Sequence, residues 1–147
     1  MSDSFSCAAV IAASPATVWH LLTDANAIRQ WMSETEMNLE VLTDWKENSA
    51  VIMRGDFHGP FENKGVVLRS EQEKQLTYTH LSSVSGLSDV AENYTVLDFT
   101  LAASADATQT TLTLRLSGFP DEIIRKHLEL YWPVTLQKIK EQAERTS

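Results

Sequence analysis

A histidine on an apolar strand face is the first candidate for chemistry in this sequence of 147 residues. Residues 75–81 alternate, so His80 shares one strand face with Leu76 and Tyr78, and we interpret that face as pointing inward. An imidazole titrates near neutral pH and could act as a general base or as a polar contact for a ligand. The alternative is a buried histidine that hydrogen-bonds to the backbone. Spacing identifies no serine or cysteine nucleophile beside it.

A second candidate is the pair Asp56 and His58, which lie two residues apart and therefore on the same side of a strand. Such a pair could form an acid/base couple or half of a metal site, but two ligands do not make a site. The turn signal at residues 58–60 favours a solvated face beside a turn, where Arg54 could pair with a nearby acid. We predict no metal site here.

The remaining reactive residue types favour structural roles. His20 and His127 are single histidines on helical segments and are expected at the surface or at an edge. Cys7 lies in an apolar strand and is expected to be a small packing residue rather than a reactive thiol. The sequence has no glycine-rich phosphate loop, no HExxH and no GxSxG, so no cofactor is predicted.

Large apolar side chains are the other group that could bind something. Ligand pockets are mostly apolar with a few polar groups, although the same side chains could simply fill a core. The candidate ligand-binding set therefore combines the large side chains expected between sheet and helix with His80. Its members are Trp31, Trp45, Met53, Phe57, Tyr78, His80, Phe99, Tyr131, Trp132 and Leu136.

Composition excludes several classes of partner. Hydrophobic residues make up 43% and charged residues 22%, which are values of an ordinary globular chain, and the formal net charge is −8. The negative surplus lies in the first 120 residues and would repel nucleic acid and anionic membrane. A single cysteine and the lack of a basic, signal-like N-terminus predict a cytoplasmic protein without disulfides.

The elements that position these residues follow from periodicity. A strand over residues 5–12 precedes a helix that starts at Ser14-Pro15, and a second short helix carries Trp31. Alternation then predicts strands over residues 50–57, 61–70, 75–81, 94–101 and 110–116. The period becomes helical after residue 118, and Pro133 predicts a short helix over 121–130, a break, and a long helix from Trp132.

Consecutive strands favour antiparallel pairing, so the fold class is α+β. We predict a single domain over residues 1–147. Its curved antiparallel sheet has about six to seven strands, wraps around the long C-terminal helix, and is preceded by two short helices after the first strand.

This order of elements resembles the helix-grip fold of the START, polyketide-cyclase and birch-pollen-allergen (SRPBCC) superfamily. Within it, the chain is most similar to the branch of heat-shock-protein ATPase activators (Aha-like). His80 stands where an aromatic residue is expected in that branch. The resemblance rests on residues 11–19 (IAASPATVW), Thr23-Asp24 with Ile28 and Trp31, residues 64–68 with 75–79, residues 85–87 with 92–94 and Val96, residues 110–114 with Gly118-Phe119, and Trp132, Leu136 and Ile139-Lys140.

The resemblance implies an apolar cavity between the sheet and the long helix, but it does not imply one activity. Members of the superfamily bind lipids, sterols, hormones and polyketides, and some are enzymes. We therefore expect a carrier or sensor of a small apolar or aromatic molecule, present as a monomer or weak homodimer. The alternatives are a cyclase-type enzyme using His80 and a cochaperone-like module that binds a chaperone.

Overall fold

Seven antiparallel strands form one curved, open sheet in the computed structural model, which describes residues 4–32, 38–56 and 59–146. The strand order across the sheet is β1-β7-β6-β5-β4-β3-β2, so the first strand lies beside the last. The α+β class and the order of elements are as predicted. The elements are β1 (Ser4–Ile11), α1 (Pro15–Thr23), α2 (Ala25–Met32), β2 (Glu40–Leu42), β3 (Ala50–Asp56), β4 (Pro60–Glu71), β5 (Gln75–Ser82), β6 (Thr95–Ala103), β7 (Thr110–Ser117) and α3 (Glu122–Thr146).

Alternation along the strands decides which side chains form the core. On β7, Leu112, Leu114 and Leu116 are fully buried, whereas Arg115 is exposed on the opposite face. The same parity on β5 turns Leu76, Tyr78 and His80 inward, as predicted from the sequence. The inner face of the sheet is therefore apolar over most of its length, and α3 covers it.

Gly65 allows β4 and β5 to approach each other closely. A Cβ atom at this position would overlap the backbone carbonyl oxygen of Thr79 on β5. The pairing of the two strands shifts by one residue between Val67 and Arg69, which is a β-bulge. The glycine thus serves the close approach that a glycine inside a strand often indicates.

Local caps fix the two short helices. The Ser14 hydroxyl accepts a hydrogen bond from the Thr17 backbone N–H at 3.3 Å, and Pro15 takes the first helical position. Asp24 separates the helices, because its carboxylate accepts a hydrogen bond from the Ala27 N–H at 3.0 Å. The predicted boundary between two short helices is confirmed.

The predicted break at Pro133 is wrong, because α3 runs without interruption from Glu122 to Thr146. Pro133 is exposed, so water can hydrogen-bond to the carbonyl group that its missing N–H leaves unpaired. The buried stripe continues through this point with Leu128, Trp132 and Leu136. Continuous packing against the sheet outweighs the local preference of one proline.

The C-terminal half of α3 is attached to the free edge of β1. The Lys140 ammonium group donates a hydrogen bond to the Val10 carbonyl oxygen at 2.9 Å. The Ala12 backbone N–H donates to the Glu144 carboxylate, also at 2.9 Å. Ile139 and Ala143 on this half of the helix are fully buried.

The segment between β5 and β6 is fastened to the outer face of the sheet. Asp89 accepts hydrogen bonds from the Lys64 ammonium group and from the Tyr94 hydroxyl, each at 2.5 Å. Lys64 lies on the outward parity of β4 and is exposed. Among the helices of the described residues, none is long and apolar enough to cross a membrane.

Candidate functional site

Six aromatic side chains from the sheet, α2, α3 and the segment after β2 meet beneath α3, and we call them the aromatic cluster. The ring of Tyr78 lies 6.2 Å from Phe99, and Phe99 lies 5.6 Å from Trp132 in an edge-to-face arrangement. Tyr131 and Trp132 meet edge to face at 5.3 Å. The members are Trp31, Trp45, Tyr78, Phe99, Tyr131 and Trp132.

Two members of the cluster have their polar atoms occupied by the fold. The indole N–H of Trp31 donates to the Leu21 carbonyl oxygen at 2.8 Å, and that of Trp45 donates to the Thr23 carbonyl oxygen at 2.8 Å. Both acceptors lie in the last turn of α1, where carbonyl groups lack partners within the helix. Trp31 and Trp45 therefore hold α1 against the core.

His80 lies deep in the protein, although the residue as a whole is only half-buried. Burial, with a smaller contribution from His127 on α3, lowers the pKa of His80 to about 4. The imidazole is therefore uncharged at neutral pH, with one nitrogen able to donate a hydrogen bond and the other able to accept one. Such a group can position a neutral ligand, whereas a general base works best with a pKa near the working pH.

The tyrosines beside His80 remain protonated. Burial, followed by the nearby Tyr131, raises the pKa of Tyr78, and burial raises the pKa of Tyr131. The His127 ring stacks on Tyr131 with a centroid distance of 6.1 Å. Tyr78, His80 and Tyr131 thus form a wall with several hydrogen-bonding groups and no net charge at neutral pH.

Asn63 on β4 is the residue of this region that the sequence analysis missed. Its inward parity follows from Val67, which is fully buried, and from Phe61, which packs against the core. The side-chain oxygen Oδ1 is buried and has no hydrogen-bond partner. A polar residue at an inward position of an alternating strand is visible in the sequence and could have been selected on that ground.

The other predicted ligand-binding residues occupy different places. Met53 is buried on the inner face of β3, opposite Asn63 in the strand pairing, and Leu136 is buried on the second half of α3. Leu136 lies one helical turn beyond Trp132. Phe57 and His58 lie outside the described residues.

The acid/base pair proposed around Asp56 has a simpler structural role for its acid. The Asp56 carboxylate is exposed and accepts a hydrogen bond from the Gly59 N–H at 3.2 Å, which closes the turn between β3 and β4. Arg54 forms an ion pair with Glu40 at 3.3 Å. Within the part of the chain that the structure describes, no group of three or more His, Cys, Asp or Glu residues could hold a metal ion.

The remaining candidates are placed as the sequence suggested. Cys7 is half-buried against the core, and burial raises the pKa of its thiol, which agrees with a packing role. His20 is exposed on α1, 3.9 Å from the Asp24 carboxylate. His127 is exposed at the surface of α3 but also contacts the aromatic cluster, a dual position that spacing alone does not reveal.

Comparison with known sequences decides the family. The profile of the family described as "Activator of Hsp90 ATPase homolog 1-like protein" matches residues 12–144. The chain belongs to this family. The match spans nearly the whole chain and agrees with the Aha-like resemblance of its motifs. None of the curated proteins compared with the chain matches it.

Solved structures share the fold of this Aha-like chain. Protein ChR145 from Cytophaga hutchinsonii is 29% identical, with coverage of 98% of this chain and 95% of that chain and a TM-score of 0.80. Protein CV1439 from Chromobacterium violaceum is 21% identical, with 96% of each chain covered and a TM-score of 0.80. The Aha1 dimer from Colwellia psychrerythraea is 18% identical, with 97% and 96% covered and a TM-score of 0.74.

Proposed function

We propose that this Aha-like protein binds a small apolar or aromatic molecule between the inner face of the sheet and the first half of α3, as a carrier or sensor. The observation that carries this proposal is the position of His80 and Tyr131. Both side chains lie deep within the protein, yet neither residue is fully buried. This combination supports an opening at this point between the sheet and α3.

Apolar burial would supply most of the affinity. Tyr78, Met53 and Trp132 lie on the same inner face and are almost fully buried, so a ligand reaches them only where these side chains move apart. A ligand that buries about 300 Å² of apolar surface gains roughly 7 kcal/mol at about 25 cal/mol per Å², before the entropy loss of association is subtracted. The expected affinity is therefore micromolar or weaker unless polar groups contribute.

A fluorescent probe tests this proposal directly. N-phenyl-1-naphthylamine, which is neutral and apolar, is expected to bind the wild-type protein and to gain fluorescence. His80→Trp should abolish that gain by filling the opening, whereas Leu130→Trp on the exposed side of α3 should leave it unchanged. Circular dichroism verifies that both variants are folded. Equal binding by all three proteins, or no binding by wild type, would refute the proposed site.

The catalytic alternative depends on His80 alone. With a pKa of about 4, the imidazole accepts a proton weakly at neutral pH, which disfavours general-base catalysis. Native mass spectrometry of protein purified from its own cells separates the two functions. A co-purified molecule that is released unchanged supports a carrier, and conversion of that molecule by wild type but not by His80→Gln supports an enzyme.

A second proposed function is self-association through the outer face of α3. Ile123, Leu130 and Val134 form one apolar stripe there and are 79%, 77% and 60% exposed. The Colwellia psychrerythraea neighbour is described as a dimer, which favours a second copy of this chain as the partner. Sedimentation of wild type and Leu130→Glu tests this: a dimer that the variant loses supports it, and a monomer at all concentrations contradicts it.

The cochaperone alternative uses the same stripe with a different partner. A pull-down with the chaperone and an ATPase assay, each with wild type and Leu130→Glu, distinguish it from self-association. Silence in both assays counts against it. We also propose a cytoplasmic location, which agrees with the single half-buried Cys7 and the absence of a second cysteine for a disulfide.

A further inference from the structure

The inner surface beyond Tyr78 contains a polar group that neither the fold nor the aromatic cluster uses. Asn63 on β4 pairs with Met53 on β3 and with Ser82 on β5. Ser82 lies two residues from His80 on the same face of β5, so Asn63 and His80 are diagonal neighbours across the β4–β5 pair. Gly65, the next inward residue of β4, brings the backbone of β5 close to β4 at this point.

The Asn63 side-chain oxygen lacks a hydrogen bond although it is buried. Leaving such an acceptor unpaired costs about 1–3 kcal/mol, and native proteins rarely do so without a reason. Neither strand neighbour provides this bond: the Met53 thioether has no hydrogen to donate, and the Ser82 hydroxyl accepts from the Val84 N–H at 3.3 Å without bonding to Oδ1. A donor carried by a ligand would supply the missing hydrogen bond.

The surroundings exclude a charged partner. The inward positions of β3, β4 and β5 around Asn63 are occupied by Val51, Met53, Phe61, Gly65, Tyr78, His80 and Ser82, none of which carries a charge at neutral pH. A carboxylate placed here would lose its hydration without gaining a cation, which costs several kcal/mol. A hydrocarbon would fit the apolar walls but would leave Oδ1 unpaired.

We infer that Asn63 Oδ1 is the hydrogen-bond acceptor for an uncharged ligand that carries an O–H or N–H group on an apolar, ring-containing body. The phenol and alcohol classes meet this requirement, whereas ethers, hydrocarbons and carboxylates of the same skeleton do not. The donor end of the ligand would lie between Asn63 and His80, and its apolar body would contact Tyr78, Met53 and Trp132. This inference rests on the proposed ligand site.

Matched probes of one skeleton test the inference. Wild-type protein is expected to bind 2-naphthol about tenfold more tightly than 2-methoxynaphthalene, and 2-naphthoate more weakly than both, by isothermal titration. In Asn63→Leu, which has nearly the same shape without the acceptor, the preference for 2-naphthol over the ether should disappear while the ether still binds. Ser82→Ala, a neighbour on the same face, should keep the preference.

A stability measurement separates a ligand contact from a structural role. Asn63→Leu replaces a buried unpaired acceptor with an apolar group, so its urea midpoint without ligand should equal or exceed that of wild type. A clearly lower midpoint would mean that Asn63 supports the fold, and the inference would fall. Equal binding of 2-naphthol and its ether by wild type would also overturn it while leaving the proposed function intact. If none of the three probes binds, the proposed function itself fails.

Discussion

The acid sensitivity of this protein should depend strongly on one buried side chain, His80. Its pKa falls from 6.5 to about 4 in the folded protein, chiefly because burial disfavours the charged form. Between these two values the unfolded chain binds a proton that the folded chain does not, so stability decreases as the pH is lowered. The contribution is fully present above pH 6.5 and is lost as the pH falls through 4.

The magnitude follows from the shift. One pKa unit corresponds to about 1.4 kcal/mol, so the shift of His80 makes unfolding easier by about 2 kcal/mol at pH 5 and by about 3 kcal/mol near pH 4, relative to pH 7.5. Carboxylates whose pKa the fold lowers, such as those of Asp89 and Glu144, add their own loss in acid. The difference between wild type and a His80 variant removes their contribution.

Urea unfolding followed by tryptophan fluorescence measures this difference, because Trp31, Trp45 and Trp132 are buried. The free energy of unfolding of His80→Gln, minus that of wild type, should rise by about 2 kcal/mol between pH 7.5 and pH 5. Tyr78→Phe changes a neighbour on the same face that does not titrate in acid, so its difference from wild type should stay constant. If the difference between His80→Gln and wild type also stays constant between pH 7.5 and pH 5, the conclusion that burial lowers the pKa of His80 is refuted.

Three further substitutions test the packing by the same urea measurement. Gly65→Ala should destabilise the protein by 3 kcal/mol or more, roughly, because the new Cβ overlaps a carbonyl oxygen of β5, and a loss under about 1 kcal/mol would contradict the close approach. Trp45→Phe removes the indole hydrogen bond to Thr23 and should lower the free energy of unfolding by about 1–2 kcal/mol. An unchanged free energy of unfolding would show that this bond does not stabilise the fold. Leu136→Ala should cost about 2–5 kcal/mol, and its control Leu130→Ala, exposed on the same helix, less than about 0.5 kcal/mol; similar losses would refute the orientation of α3.

Hydrophobic periodicity correctly predicted the elements in which no other sequence preference competes with it. The alternation of Leu112, Leu114 and Leu116 fixed both the strand and its buried face, because only a half-buried strand uses that pattern. The break at Pro133 was wrong because two rules competed there. A proline opposes a helix locally, but the buried stripe on both sides of it and solvent access to the freed carbonyl group favour continuation.

The candidate site was predictable only in part. Tyr78 and His80 were assigned inward from strand parity, and both lie there. Their neighbours come from β4 and α3. The register between strands and the rotation of a helix depend on packing between distant parts of the chain, so local sequence patterns do not predict them. The contact of His127 with Tyr131 is of this kind. The unpaired state of Asn63 likewise emerges only when the residues around it are known.

The attachment of α3 to β1 has a consequence for association in acid. An open sheet has two edge strands, and the backbone groups on each edge can pair with another chain. At the end of β1, the Lys140 ammonium group binds the carbonyl oxygen of Val10, and the Glu144 carboxylate binds the N–H group of Ala12, the first residue after the strand. The hydrogen bond from Ala12, and then that from Lys140, lowers the pKa of Glu144. Protonating this carboxylate in strong acid would weaken the Ala12 contact, and the end of β1 would then be covered by Lys140 alone of these two side chains.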